Sequence, residues 1–191
     1  MNKLLFSVLC VIAMFSTPSL AGLADDLKDG QHVLLIRHAD APGFGDPPGY
    51  QLDQCSTQRN LGDAGRAQAV AIGTWLTQRG VLTAKVLSSA WCRCLDTARL
   101  MAKGTVLIEK SLGSFYDAMH LEKAQTAEMQ KVIAAQLQQN PSTPLILVTH
   151  HVNIEAFTSK VVNVGDMVLV KVKPDGTHVS HQIYPGPALS R

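Results

Sequence analysis

Apolar residues fall along this chain in two kinds of run. His32 to Arg37 and Leu145 to Thr149 are continuous, the pattern of strands buried on both faces. Ala84 to Leu87 and Thr105 to Ile108 are shorter strand-like runs. Between them lie segments of helical periodicity. Leu61 to Arg79 predicts a helix with Ala67, Val70, Ala71, Thr74, Trp75 and Gln78 at helical spacing, stopped by Gly80. A second helix is expected from about Trp91 to Lys103, with Ser88-Ser89 placed to cap it. A third runs from Glu122 to Gln139 and ends at Asn140-Pro141. Met167 to Val172 and Thr177 to Ile183, joined by Lys173 to Gly176, read as a terminal β-hairpin. Residues 39 to 58, rich in Gly, Pro and Asp, form a long loop. Strands alternating with helices predict a single α/β domain: a mostly parallel sheet with helices on both faces, three layers in all, plus the C-terminal hairpin. In such sheets ligands collect at the carboxyl ends of the strands.

Residues 1–21 stand apart. Lys3 precedes an apolar run from Leu4 to Phe15, and Ser19 and Ala21 occupy the positions a signal peptidase reads. The segment predicts a cleaved secretory signal, a domain over 22–191, and a periplasmic or secreted protein with no lasting membrane insertion. An uncleaved anchor is the alternative, but the run is short for a membrane span. At 46% hydrophobic and 17% charged, the chain has material for a core. Its net charge of +2 leaves no broad basic surface, which excludes nucleic acid as a partner. Export favours a disulfide among Cys55, Cys92 and Cys94, with Cys55 paired to Cys92 or to Cys94. Four zinc ligands at a recognisable spacing are not present in the sequence, so no metal or cofactor is expected.

Polar residues with chemical potential sit at three strand ends. Arg37-His38 follows the first strand, and His150 follows the Leu145–Thr149 strand. Arg93 lies in the first turn of its helix, where exposed amides and the helix dipole already favour an anion. Singly, each reads as readily as a structural residue. Together they bring arginines and histidines to one sheet edge, and a phosphate dianion explains that concentration of cationic groups.

The Arg37-His38 pair after an apolar strand, the Ser88 to Ala98 segment (Ser-Ser-x-x-x-Arg-x-x-x-Thr-Ala) and the Thr149-His150 strand end resemble the histidine phosphatase (phosphoglycerate mutase-like) superfamily. The segment from Leu61 to Ala69 is also similar to its first helix, so the likeness covers about residues 32 to 155. The match is to the smaller, compact branch and looks closest to exported bacterial members, some of which act on phosphorylated sugars of lipopolysaccharide. The resemblance implies phosphoryl transfer through a phosphohistidine at His38. Arg37, Arg93 and a protonated His150 would hold the phosphoryl oxygens, and no metal would be needed. Arg59 and Asn60, just before the first helix, are placed to reach phosphate or leaving group; Asn60 equally suits a helix cap. His151 is a further substrate-facing candidate.

Two departures from the family stand out. Ala39 follows His38 where glycine is usual, and no Glu falls at the place of the usual acid. Asp117 is the first candidate for that acid, with Glu109 and Glu155 behind it. The resulting expectation is an exported phosphomonoesterase acting on a small phosphate ester, such as a sugar phosphate of the cell envelope. The alternative from another class is a non-catalytic phosphate- or phosphosugar-binding protein with a degenerate acid position.

Overall fold

A computed structural model describes residues 22–188. The signal-like segment 1–21 lies outside the described residues. Six strands form one sheet in the order β3-β2-β4-β1-β5-β6. They are β1 (His32–Arg37), β2 (Lys85–Ser88), β3 (Val106–Ile108), β4 (Leu145–Thr149), β5 (Met167–Val172) and β6 (His178–Tyr184). The first four pair in parallel. β5 pairs antiparallel with β1 and β6 antiparallel with β5, so the expected hairpin extends the sheet rather than leaving it.

The helices are α1 (Leu23–Asp26), α2 (Asp63–Gln78), α3 (Cys92–Leu100), α4 (Glu122–Gln139) and α5 (His151–Thr158). Alternation along the strands sorts them into two layers. Leu34, Ile36, Val86, Ile146 and Val148 face α1, α2 and α3 through Leu27, Ile72, Leu76, Ala98 and Met101. Val33, Leu35, Leu87, Leu145 and Leu147 face α4 and α5 through Met129, Ile133, Leu137, Ile154 and Phe157. Central β1 and β4 are therefore apolar on both faces, which is why their sequences show no alternation. Among the described residues, no helix is long and apolar enough to cross a membrane.

Two local expectations need correction, and one helix was not expected at all. The buried face of α2 is Gly65, Gln68, Ala69, Ile72, Gly73 and Leu76, so Ala67, Val70, Thr74 and Gln78 point outward. Glycine sets that phase. A Cβ on Gly65 would sit 1.9 Å from the Asp40 carbonyl oxygen, and one on Gly73 would sit 2.3 Å from that of Met101. The helix approaches backbone here, and a hydrophobic count misses it. Second, Ser88-Ser89 does not cap α3. Trp91 is its N-cap residue with no side-chain cap bond, and α3 is shorter than predicted. The unexpected helix, α5, starts directly after β4 with no loop to announce it. The stop at Gly80 is as expected: φ is +80°, and the N–H groups of Gly80 and Val81 bond back to Thr77 and Leu76.

Gly73→Ala tests the close approach. Alanine gains about 1 kcal/mol from helix propensity at an open site. Here the clash should outweigh it and lower stability by about 1–3 kcal/mol, read by denaturant unfolding. A stabilised variant would show that the backbone gives way.

Candidate active site

The carboxyl ends of β1, β4 and β2 converge on one cavity of ≈ 470 Å³. Main-chain bonds align the ends. The His38 N–H donates to Thr149 O at 3.0 Å, and the Ser89 N–H donates to Val148 O at 3.0 Å. Arg37, His38, Arg59, Arg93, Asp117, His150 and His151 all line the cavity. Thr97 ties α3 to the first motif: its hydroxyl accepts the Ala39 N–H at 3.0 Å and donates to Arg93 O at 2.7 Å. Alanine at position 39 fits, being wholly buried there.

His38 is 2% exposed, and its Nδ1 lies 2.8 Å from the Ala39 carbonyl oxygen. A carbonyl only accepts, so Nδ1 carries the proton and Nε2 is left with its lone pair. Burial, opposed by the Ala39 bond and reinforced by Arg93, Arg37 and Arg59, pushes its pKa well below 6.5. His150 is likewise pushed well below 6.5, first by burial and then by His38 and Arg93. This favours the neutral imidazole over the imidazolium expected from the sequence, because the ring is buried and faces Arg93, Arg59 and the imidazoles of His38 and His151. Its Nε2 bonds the Ser89 hydroxyl at 2.9 Å, and its ring packs edge-on to His38 and Trp91. That bond also explains why Ser89 leaves α3 uncapped.

The Arg37 Nη1 donates to Val162 O at 2.7 Å. Burial first, and Arg93 in addition, lower the pKa of both Arg37 and Arg59, a mark of crowded positive charge. Arg59 faces the cavity, but its Nε and Nη1 donate to Gly45 O and Ala41 O. It staples the Gly/Pro loop. Asn60 is not in the lining; its amide donates to Cys55 O at 2.6 Å and to Gln58 O at 3.1 Å. Nor does it cap α2, whose N-cap residue is Gly62. His151 is partly buried and packs on Tyr116.

Of the three acid candidates, only Asp117 lines the cavity. Glu109 is occupied in a 3₁₀ turn, accepting the Ser111 N–H and hydroxyl. Glu155 lies on the exposed side of α5. The Asp117 segment is pinned to the end of β4 by Thr149 Oγ1 donating to Leu112 O and Asn153 Nδ2 donating to Gly113 O.

Several lining residues had no signal in the motifs: Asp40, Tyr50, Trp91, Tyr116 and, above all, Asp46. Asp46 pairs with Arg93 at 2.9 Å. It is the only carboxylate in residues 41–50, the single clue the sequence offers. Burial alone would raise its carboxyl, but Arg93, the Arg59 N–H and Trp91 outweigh this and hold it below the usual range.

Cys55 and Cys92 form a disulfide, with Cα atoms 5.6 Å apart, which decides between the two expected pairings. It fastens the end of the loop to the first residue of α3, next to Arg93. Cys94 stays a buried thiol, pushed up to about 12 chiefly by burial.

Comparison with known proteins places these features in context. A family model described as the histidine phosphatase superfamily (branch 1) matches residues 33–113. Among solved structures, the chain is similar to the protein histidine phosphatase SixA complexed with tungstate (TM-score 0.58, 14% identity, 81% of this chain and 96% of that one). It is also similar to a mycobacterial glucosyl-3-phosphoglycerate phosphatase (TM-score 0.55, 17% identity, 80% and 96%). A third likeness is to an Entamoeba histolytica phosphoserine phosphatase in complex with 3-phosphoglyceric acid (TM-score 0.55, 13% identity, 78% and 93%). No curated protein matches the chain.

The pKa directions give a spectroscopic prediction. Imidazole NMR titration should find His38 and His150 still neutral at pH 6.5, protonating only as the pH falls further. Depressed folded-state values also mean that stability falls once the pH drops below the unfolded-state value, since only the unfolded chain then takes up these protons. A midpoint at or above 6.5 for either ring would contradict the desolvation argument.

Proposed function

We propose that this chain, matched over residues 33–113 by the model of the histidine phosphatase superfamily (branch 1), is a member of that superfamily and an exported phosphomonoesterase working through a phosphohistidine at His38. The observation that carries the reading is the bond from His38 Nδ1 to the Ala39 carbonyl. It fixes the tautomer whose Nε2 lone pair is a nucleophile inside an arginine-lined cavity.

The reaction has two steps. His38 Nε2 attacks phosphorus in line; the N–P bond forms as the ester P–O bond breaks. Arg37 and Arg93 hold the non-transferring oxygens and offset the developing charge, which is most of what phosphoryl transfer requires. That charge is the role a metal plays elsewhere, so the proposed reaction needs none. If Ser89 donates to Nε2 of His150, the His150 proton sits on Nδ1, as a further donor. A bound dianion would also draw His150 toward its protonated form. Asp117 is the proposed acid, giving its proton to the leaving oxygen and taking one from the water that then hydrolyses the phosphohistidine. Tyr50, Trp91, Tyr116 and Phe44 line the cavity too, and such aromatic faces suit a sugar or similar small leaving group. Asn60 and Arg59 serve the site through the loop rather than as ligands. The signal-like segment 1–21 and the Cys55–Cys92 disulfide support export to the periplasm or beyond.

Hydrolysis of p-nitrophenyl phosphate without added metal tests the reading. His38→Ala should lower kcat/KM by at least about 10³-fold. Activity that survives would exclude His38 as nucleophile. Phosphate binding without turnover in the wild type would favour a binding protein instead. A reductant supplies a second test. Opening a 37-residue separation should cost about 3–4 kcal/mol of stability and raise KM as the loop loosens beside Arg93. An unchanged KM in the reduced protein would detach the disulfide from substrate binding.

A further inference from the structure

The Gly/Pro loop contributes more to the cavity than a rim. Asp46, the one carboxylate of residues 41–50, has its side chain buried with that of Arg93, at exposures of 4% and 5%. Both Asp46 oxygens accept from Arg93 Nη1, at 2.9 and 3.0 Å. Oδ1 also accepts the Arg59 backbone N–H at 2.9 Å, and Oδ2 accepts the Trp91 indole N–H at 3.1 Å. A carboxylate so bonded stays ionised and does not serve as a proton donor.

Every bond from Arg93 to Asp46 leaves from Nη1. In a guanidinium, Nη1 lies on the Cδ side. The opposite edge, Nε with Nη2, is the one that presents two parallel N–H groups to a pair of oxygens. Arg93 Nε is buried and bonds no protein atom. Arg37 repeats the arrangement: Nη1 is taken by Val162 O, and Nε is buried without a protein partner. Arg59 differs, since its Nε and Nη1 are both spent on loop carbonyls. Two guanidinium forks are thus gripped from behind and open in front, while the third arginine fastens the loop that supplies the grip.

We propose that Asp46 is a positioning residue for phosphoryl recognition, holding Arg93 by Nη1 so that its Nε–Nη2 edge meets the phosphoryl oxygens. The inference rests on the phosphatase reading for the identity of the anion. Its physical content is preorganisation: a guanidinium fixed beforehand loses little freedom when the anion arrives. The competing role for a carboxylate here is dilution of positive charge. That role has the opposite sign, because removing the charge would then tighten phosphate binding.

The test is calorimetric titration with inorganic phosphate of four proteins: wild type, Asp46→Asn, Arg93→Lys and the double variant, each checked by thermal melting. Asp46→Asn keeps the shape of the side chain. Arg93→Lys keeps the charge but has no fork to aim. In the wild-type background, Asp46→Asn should weaken phosphate about tenfold, the scale of one charge-assisted bond. In the Arg93→Lys background the same change should alter affinity less than about twofold, since the two residues act as one unit. Equal weakening in both backgrounds would mean that Asp46 acts apart from Arg93 and would overturn the proposal. Unchanged or tighter binding by Asp46→Asn would overturn it too. A wild type that binds no phosphate would remove the seat, and the proposal with it. The expected coupling in a protein that hydrolyses no ester would support the positioning role and defeat the phosphatase reading alone.

Discussion

A guanidinium taken out of water demands an anion, and Arg93 is almost wholly out of water. The rest of the site follows from how that demand is met. Asp46 meets it from a loop, not from the sheet, so the loop must be held in place. Arg59 bonds its carbonyls and the Cys55–Cys92 bridge fastens its far end. Asp40 and Asp117 line the cavity as well, but Asp46 is the carboxylate bonded to Arg93. Burial first, and nearby guanidinium groups in addition, depress both imidazoles, and the unbonded Nε atoms of Arg37 and Arg93 suit an anion.

The same burial bears on how His38 could act as the proposed nucleophile. In water an imidazole is partly protonated near neutral pH and its lone pair is shared out. In this cavity, burial and neighbouring guanidinium groups remove that competition, and a main-chain carbonyl selects the tautomer. Reactivity is thus set by solvent exclusion and charge crowding rather than by an adjacent base. The sheet contributes geometry: His38 and His150 end neighbouring parallel strands and meet edge to edge, with ring centroids 5.5 Å apart.

The sequence made some of this legible and hid the rest for physical reasons. β1 and β4 were readable because burial on both faces writes itself as an unbroken apolar run. Arg37, His38, Arg93 and His150 were readable because each sits at a fixed offset from a strand end or helix start. The phase of α2 was not, because glycines that touch backbone carry no hydrophobic signal. Asp46 was not, because its partner lies 47 positions away and nothing in a Gly-Asp-Pro-Pro string points to it. The lowered pKa of His150 depends on burial and on His38, Arg93, His151 and Arg59, gathered from different segments, a sum that no local pattern contains. Ser89 read as a helix cap because its sequence position fits one; the imidazole that claims its hydroxyl is 61 residues on.

The disulfide has one more consequence, a topological one. It closes a covalent ring from Cys55 to Cys92 that contains α2 and β2, with an exposed turn near residues 77–80 inside it. A single backbone cut anywhere within that ring leaves one molecule rather than two fragments. His38 upstream and Arg93 and His150 downstream would remain tethered across the bridge. A protein met by proteases outside the cell would therefore lose a peptide bond there without losing the connection between the two halves of its active site.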